Sequence, residues 1–243
     1  MTIITSPLLL EGGFIHGFGT RINTDTNTPS PIHILLQVHG ERIVCLAEQT
    51  MRVQSTKFKV QSKNPKLIIS EVPEEAFRFD EGDALITSLP GISIGIRTAD
   101  CLPVLLADPA TGTVAAVHCG WRSLTLDLAE KAVQAMASMT GNKPSGLLSA
   151  LGPAINTCCY EVGQEVIDQF RGYSQETVPF TEREGRLYLD LRAIARSQLL
   201  KAGLSPKCID DLDQCTSCMA DRFFSHRARR EEGRMVSFIQ ATG

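Results

Sequence analysis

The sequence predicts an α+β fold dominated by sheet and built as a single domain over residues 1–243. Three observations predict it. Apolar runs of strand length outnumber helical patterns. A hydrophobic content of 43% over 243 residues is enough for a full core, as one large domain or two small ones. Proline and glycine are spread along the chain instead of collecting in a linker, and there is no internal repeat or low-complexity tract.

In chain order, strand-type runs occupy residues 34–38, 43–47, 84–89, 92–96, 102–107, 113–117, 147–151, 187–191 and 235–239. The clearest helix is expected after Arg122, where Leu124, Leu128, Ala132, Val133, Met136 and Met139 keep helical spacing. Asp127 and Glu130 lie in its early turns and Gly141 can close it. Residues 161–170 and 191–202 read as two more helices. Residues 23–31 and 49–66 are polar and aperiodic, which predicts surface loops or an exposed hairpin.

A net charge of −3 and a pI near 6.0 give no electrostatic reason to expect nucleic acid or an anionic membrane as partner. The N-terminal stretch "MTIITSPLLLEGGF" lacks a basic n-region and has only a three-leucine run, too short for a signal peptide or a transmembrane helix. The expectation is a cytoplasmic protein whose eight cysteines are thiols or metal ligands before they are disulfides.

The segment "RTADCLPVLLADPATGTVAAVHCGWR", residues 97–122, reads as a β-hairpin. Its two apolar runs are separated by Asp108-Pro109-Ala110-Thr111-Gly112, residues suited to a type I turn. If Ala107 faces Gly112, the same register sets Cys101 opposite His118. Directly opposed residues have Cβ atoms ~4.5 to 5.5 Å apart, so a thiolate and an imidazole could share one metal ion or contact each other directly. A one-residue slip at the turn would send Cys101 to the other face.

Of the five histidines, His33 lies inside a strand-like run and reads as packed. His39 ends "ILLQVHG", where Gly40 stops the strand and a side chain can face a cleft. On its own His39 reads as a structural histidine. Added to Cys101 and His118, it completes a two-histidine, one-cysteine set with an open position, the pattern of a catalytic zinc site. Cys215 and Cys218 form a C-x-x-C, and Cys158 and Cys159 are adjacent. Without a second half at finger-like spacing, these read as buried structural cysteines instead of a second zinc site.

In order along the chain, "IHGFGTR" (15–21), "QVHG" (37–40), "GDALIT" (82–87), "RTADCLPV" (97–104), "HCGWR" (118–122), "GPAI" (152–155), "CYEVG" (159–163), "LDL" (189–191), "CT" (215–216) and "FFSHR" (223–227) resemble the landmarks of the YfiH, or laccase-domain, family. The resemblance implies a layered α/β/β/α fold, monomeric or homodimeric. It implies a zinc-dependent purine nucleoside phosphorylase acting on adenosine, inosine or methylthioadenosine, with adenosine deaminase side activity. Older descriptions of the family call its members polyphenol oxidases. The family's metal ligands fall on His39, Cys101 and His118.

The chain departs from the family where Cys119 and Ser123 replace Ala and Gly, and where Ile22-Asn23 replaces a Gly-Gly pair. Strand alternation points Cys119 away from His118, as a small buried hydrophobe.

Five histidines with no His-x-His pair cannot build a multicopper laccase. Phenol oxidation would need copper in the same three-ligand site, which such ligands bind more strongly than zinc. For deamination, a zinc with an open position offers a water of pKa about 7. The His-x-Glu with Pro-Cys-x-x-Cys signature of base deaminases is absent. Phosphorolysis requires an anion site, for which Arg122 at the start of the expected helix, Arg21, Arg97 and Arg227 are the candidates. Asp100, beside Cys101, is expected to point away. The rival is a metal-independent thiol hydrolase or deamidase with Cys101 as nucleophile and His118 as base, a pairing also found in bacterial toxin deamidases whose fold this family's resembles.

Overall fold

The structure is a computed structural model that describes residues 3–21, 32–46, 78–170 and 179–242. The expected loops at 23–31 and 49–66, and the Ile22-Asn23 departure, lie outside these.

Two mixed six-stranded sheets dominate. The first runs, in spatial order, β1 (Ile3–Ile4), β2 (His16–Gly19), β15 (Met235–Gln240), β7 (Ser93–Thr98), β3 (Ile32–Leu36) and β5 (Arg78–Glu81). The second runs β14 (Ile209–Asp211), β10 (Leu148–Leu151), β8 (Leu102–Ala107), β9 (Val114–Cys119), β6 (Ala84–Thr87) and β4 (Ile43–Leu46). A small third sheet holds β11 (Glu161–Val162), β13 (Arg186–Leu189) and β12 (Phe180–Arg183). The helices are α1 (Pro7–Glu11), α2 (Trp121–Thr125), α3 (Leu128–Thr140), α4 (Gln164–Ile167), α5 (Leu191–Lys201) and α6 (His226–Arg229).

Every residue of β8 and β9 is buried, because the second sheet is covered on both faces; near-continuous apolar runs are what such strands require. Alternation divides the faces. Leu102, Val104, Leu106, Ala115, Val117 and Cys119 pack with Val133 and Met136 of α3 and Ile194 and Leu199 of α5. Leu105, Ala107, Val114 and Ala116 pack instead with Ile94, Ile96 and Ile239 of the first sheet. His118 shares the parity of Val114 and Ala116, so it points between the sheets, while Cys119 sits in the helix-side core as expected. On the outer face of the first sheet, Ile32, Ile34 and Phe238 cluster with Ile3 and Val236. Helix, sheet and sheet of the expected α/β/β/α layering are thus present, and no described helix residue belongs to that outer cluster.

The hairpin forms, with a corrected register. Ala107 pairs with Val114 and Pro103 with His118, so Cys101 lies just before β8 and is not directly opposite His118. The turn is set one residue later on each strand. Asp108 N–H donates to Thr113 O at 2.8 Å, and the Asp108 carboxylate accepts from Ala110 N and Thr111 Oγ1. Gly112 takes the left-handed position (φ 69°), where a Cβ would stand 2.0 Å from Thr242 O. Moving both strands by one residue preserves the faces, so Cys101 and His118 still converge.

The helix expected after Arg122 is two helices. Asp127 adopts φ 56° and breaks the path between α2 and α3. Buried Gln198 of α5 spans the break, donating to Leu124 O at 2.7 Å and accepting from Ala129 N at 3.3 Å. Helix ends leave such groups unpaired, and the bridge lets α2 stay at the end of β9 while α3 lies across the sheet. Residues 161–170 are likewise β11, then α4, then a 3-10 turn, because Glu161 and Val162 pair with Tyr188 and Leu187. The expected helix at 191–202 is α5. The cysteines expected to be buried are mostly not: Cys158 and Cys218 are exposed, Cys159 is partly buried and Cys215 alone is buried.

Candidate metal centre

His39, Cys101 and His118 come together from three places in the chain. Their donor atoms all lie within 4.8 Å of one another. His118 is the last residue but one of β9, Cys101 precedes β8, and His39 follows β3 on a left-handed backbone (φ 60°). Cys101 Sγ is 3.8 Å from His39 Nε2, and the two imidazoles meet edge to face at 4.8 Å between centroids.

Asp83 organises the group, and the sequence analysis missed it. Its carboxylate is fully buried. One oxygen accepts from His118 Nδ1 at 2.8 Å and from His39 N at 2.9 Å; the other accepts from Gly40 N at 2.7 Å and Val38 N at 3.3 Å. One side chain therefore fixes the ring of one histidine and the backbone that carries the other. With Nδ1 engaged, His118 presents Nε2 to the site, the arrangement in which a carboxylate orients a metal-binding histidine. The signal was available: an aspartate entering the apolar strand "ALIT" directly after Gly82 is a buried charge that must have partners.

Burial opposes charge on Cys101, but the His118 imidazolium and hydrogen bonds from His118 and His39 outweigh it and lower the thiol to about 6. Burial likewise opposes charge on His118, but the Cys101 thiolate and Asp83 raise it to about 9. Asp83 is also desolvated, yet the His118 and Gly40 donors hold its carboxyl below the ordinary range. Gly120 completes the cradle: a Cβ there would stand 3.1 Å from His39 Cδ2 and 3.2 Å from Cys101 Sγ. Two imidazoles, one stabilised thiolate, an orienting carboxylate and a gap kept clear by glycine fit one borderline metal ion such as zinc or copper.

The site opens into a cleft of about 640 Å³. Arg97, Arg122 and Arg227 line it, joined by Arg234 and His226, and Trp121 and Tyr160 supply aromatic walls. The Arg122 guanidinium lies 4.4 Å from the Trp121 ring and that of Arg227 4.8 Å from the Tyr160 ring. Gln37 sets the mouth, its amide pairing with both backbone groups of Arg97 at 2.8 Å. Arg21 is elsewhere: it binds Glu231 at 2.6 Å and Phe223 O at 3.1 Å and is not among the lining residues. Asp100 has φ 94° and its carboxylate is taken up by Thr216 Oγ1 and Arg227 N, both at 2.7 Å. It positions the loop before Cys101; its positive φ breaks the alternation expected to turn it to the opposite face, and Asp100 is among the residues that line the cleft.

Among the described residues, no helix is long and apolar enough to cross a membrane. Residues 20–242 match the family described as multi-copper polyphenol oxidoreductase laccase. A protein of Xylella fastidiosa named purine nucleoside phosphorylase is 35% identical over 213 residues, covering 86% of this chain and 72% of that one. Adenosine deaminase RL5, from an unknown prokaryotic organism, is 33% identical over 187 residues, covering 76% and 71%. The crystal structure of YlmD from Geobacillus stearothermophilus superposes with a TM-score of 0.81 at 26% identity, covering 100% of this chain and 97% of that one. The chain spans 58% to 72% of the length of the curated relatives it matches. By the match over nearly its whole length, and by the fold shared with YlmD, this chain belongs to the multi-copper polyphenol oxidoreductase laccase family, the YfiH family that its motifs resemble.

Proposed function

We propose that the protein is a zinc-dependent purine nucleoside phosphorylase, converting adenosine, inosine or methylthioadenosine and phosphate to free base and the ribose 1-phosphate, with adenosine deamination as a side activity. The observation that carries the reading is the placement of the His39, Cys101 and His118 donors on the floor of a cleft walled by arginines and aromatic rings. In phosphorolysis a phosphate oxygen bonds to C1′ while the C1′–N9 bond breaks and its electron pair leaves on the purine. Arg97, Arg122 and Arg227 hold and orient the phosphate, whose charge suits a guanidinium fork. Trp121 and Tyr160 give the purine flat apolar faces. Burial pushes the Tyr160 phenol up to about 12, so it keeps its proton as a donor. Asp83 fixes His118 and the His39 backbone so that neither ligand reorients during turnover. His39, Cys101 and His118 would hold the zinc ion, which would supply Lewis-acid polarisation of an oxygen in the cleft.

The test is incubation with each nucleoside, with and without phosphate, and chromatography of the products beside elemental analysis of protein purified without tag-derived metal. Free base and ribose 1-phosphate forming only with phosphate support the reading. Inosine alone from adenosine reduces the protein to a deaminase, and phenol oxidation only with copper added assigns the site to the older family name.

A second reading has its own observation, the Cys101, His118, Asp83 chain with Cys101 lowered and His118 raised. A thiol hydrolase of this kind works without metal. Its rate rises through about pH 6 as the thiolate forms and falls through about pH 9 as His118 loses its proton. Full activity of metal-free protein with that bell-shaped profile would replace the phosphorylase reading.

A further inference from the structure

Outside the cleft, the structure gathers Cys158, Cys159, Cys215 and Cys218, whose four Sγ atoms all lie within 4.8 Å of one another. Each pair sits on its own tight turn. In the first, Cys159 N and Tyr160 N both donate to Asn156 O at 2.9 Å. That curvature turns two adjacent side chains to one side, which an extended strand would not do. In the second, Met219 N donates to Cys215 O at 3.1 Å. The turns are joined by the parallel bridge between Ala154 and Cys215, with Ala154 N bonded to Gln214 O at 3.1 Å and Thr216 N to Ala154 O at 3.0 Å.

We propose that these four cysteines bind one zinc ion as a closed, structural tetrathiolate site, separate from the ligands in the cleft. Cys158 Sγ and Cys159 Sγ each lie 3.4 Å from Cys218 Sγ. That exceeds a disulfide bond of about 2.05 Å. Zinc–sulfur bonds of about 2.3 Å in a tetrahedron separate the sulfurs by about 3.8 Å, and the observed spacings bracket that edge. Backbone N–H groups of Asn156 and Cys218 hydrogen-bond the Cys215 sulfur, which suits a thiolate ligand and leaves its remaining electron pairs for a metal.

Four thiolates around a divalent ion leave a net charge of −2, and an arginine from another element braces each turn, Arg183 from β12 and Arg229, itself paired with Glu231, from α6. Arg183 donates to Thr157 O at 2.7 Å and Cys158 O at 3.3 Å. Arg229 donates to Ser217 O at 3.1 Å and Thr216 O at 3.5 Å. The site would staple the back of the cleft wall: Tyr160 follows one turn, and Thr216, in the other, holds Asp100 beside Cys101.

The experiment counts zinc by elemental analysis in protein purified anaerobically without affinity-tag metal, in wild type, Cys101→Ser and the double variant Cys158→Ser/Cys218→Ser. The expected result is that the double variant loses one zinc per chain relative to wild type while Cys101→Ser keeps that zinc. Cobalt exchanged into Cys101→Ser should give the ligand-field and sulfur-to-cobalt charge-transfer bands of a tetrathiolate. Failure of the cleft zinc would appear separately, as a wild type with one zinc that Cys101→Ser retains. If the double variant does not fold, alkylation of native wild type with peptide mapping decides: the four cysteines should label only after a chelator is added. Labelling without chelator, a disulfide among the four, iron in place of zinc, or unchanged zinc in a folded double variant would each overturn the proposal.

Discussion

The two thiol-bearing clusters are built in opposite ways. His39, Cys101 and His118 come from three separate ends of buried elements, and a buried carboxylate that ligates nothing itself holds them in place. Cys158, Cys159, Cys215 and Cys218 come from two local turns, and their sulfurs face one another with only backbone N–H groups of Asn156 and Cys218 on the Cys215 sulfur. Three mixed donors at the floor of a cleft leave room for a reacting molecule, whereas four sulfurs close on one another. The difference teaches that a set of donors left open can be positioned by the fold's core, and one that closes on itself can be assembled from local turns.

The largest effect should come from breaking the first cluster at a ligand. Cys101→Ser and His118→Ala should each lower phosphorolysis by about 10²- to 10³-fold, the loss expected when several kcal/mol of Lewis-acid stabilisation disappears. Steady-state assay with zinc content measured in parallel checks it. Near wild-type turnover would show that the mixed cluster is not the reacting one.

Next is Asp83→Asn, which keeps the shape but removes the charge that His118 and the 38–40 backbone share. Metal affinity or activity should fall by about 10- to 100-fold, with the folded state retained by circular dichroism. A competition titration against a chelator gives the affinity, and an unchanged value would mean that His118 needs no orienting partner.

Arg122→Ala should raise the phosphate KM by roughly tenfold, the loss of one charge-assisted hydrogen bond, with zinc content unchanged. Deamination, which uses no phosphate, should suffer less. Equal loss of both activities would give Arg122 a structural role and leave the anion to Arg97 and Arg227.

The smallest effect sharpens the contrast in room. Gly120→Ala places a methyl group 3.1 to 3.2 Å from His39 and Cys101, so both must yield by a few tenths of an ångström. Zinc affinity should drop by about fivefold, roughly 1 kcal/mol, while the four-cysteine cluster is untouched. Chelator titration of both zinc populations reads the two effects together.

Much of this was legible in the sequence. The strand runs were found because burial on two faces leaves an apolar signature that needs no context. Cys101 and His118 were brought together by hairpin reasoning even though the register was wrong, because shifting both strands by one residue leaves every side chain on its own face. His39 could not be placed by spacing alone, and family motifs supplied it. What escaped were features fixed by tertiary contact. Asp127 breaks a helix whose hydrophobic spacing continues through it, and the bridging amide comes from Gln198, 74 residues from Leu124. Cys218 finds Cys158 across 60 residues, so the second half of the cysteine set has no local spacing to betray it. Asp83 was visible as a residue and silent as a role, since its four partners belong to two other segments.

The grip of Asp83 on both histidine-bearing segments also sets an order of events. Because its hydrogen bonds run between protein groups alone, the ligand geometry of the cleft exists once the chain has folded, and metal uptake is then a bimolecular step through the cleft mouth. Loading should follow the concentration of free metal and leave the folding rate alone. Folded protein stripped of only its cleft ion should therefore keep its cleft ready and regain activity in solution when the ion is added.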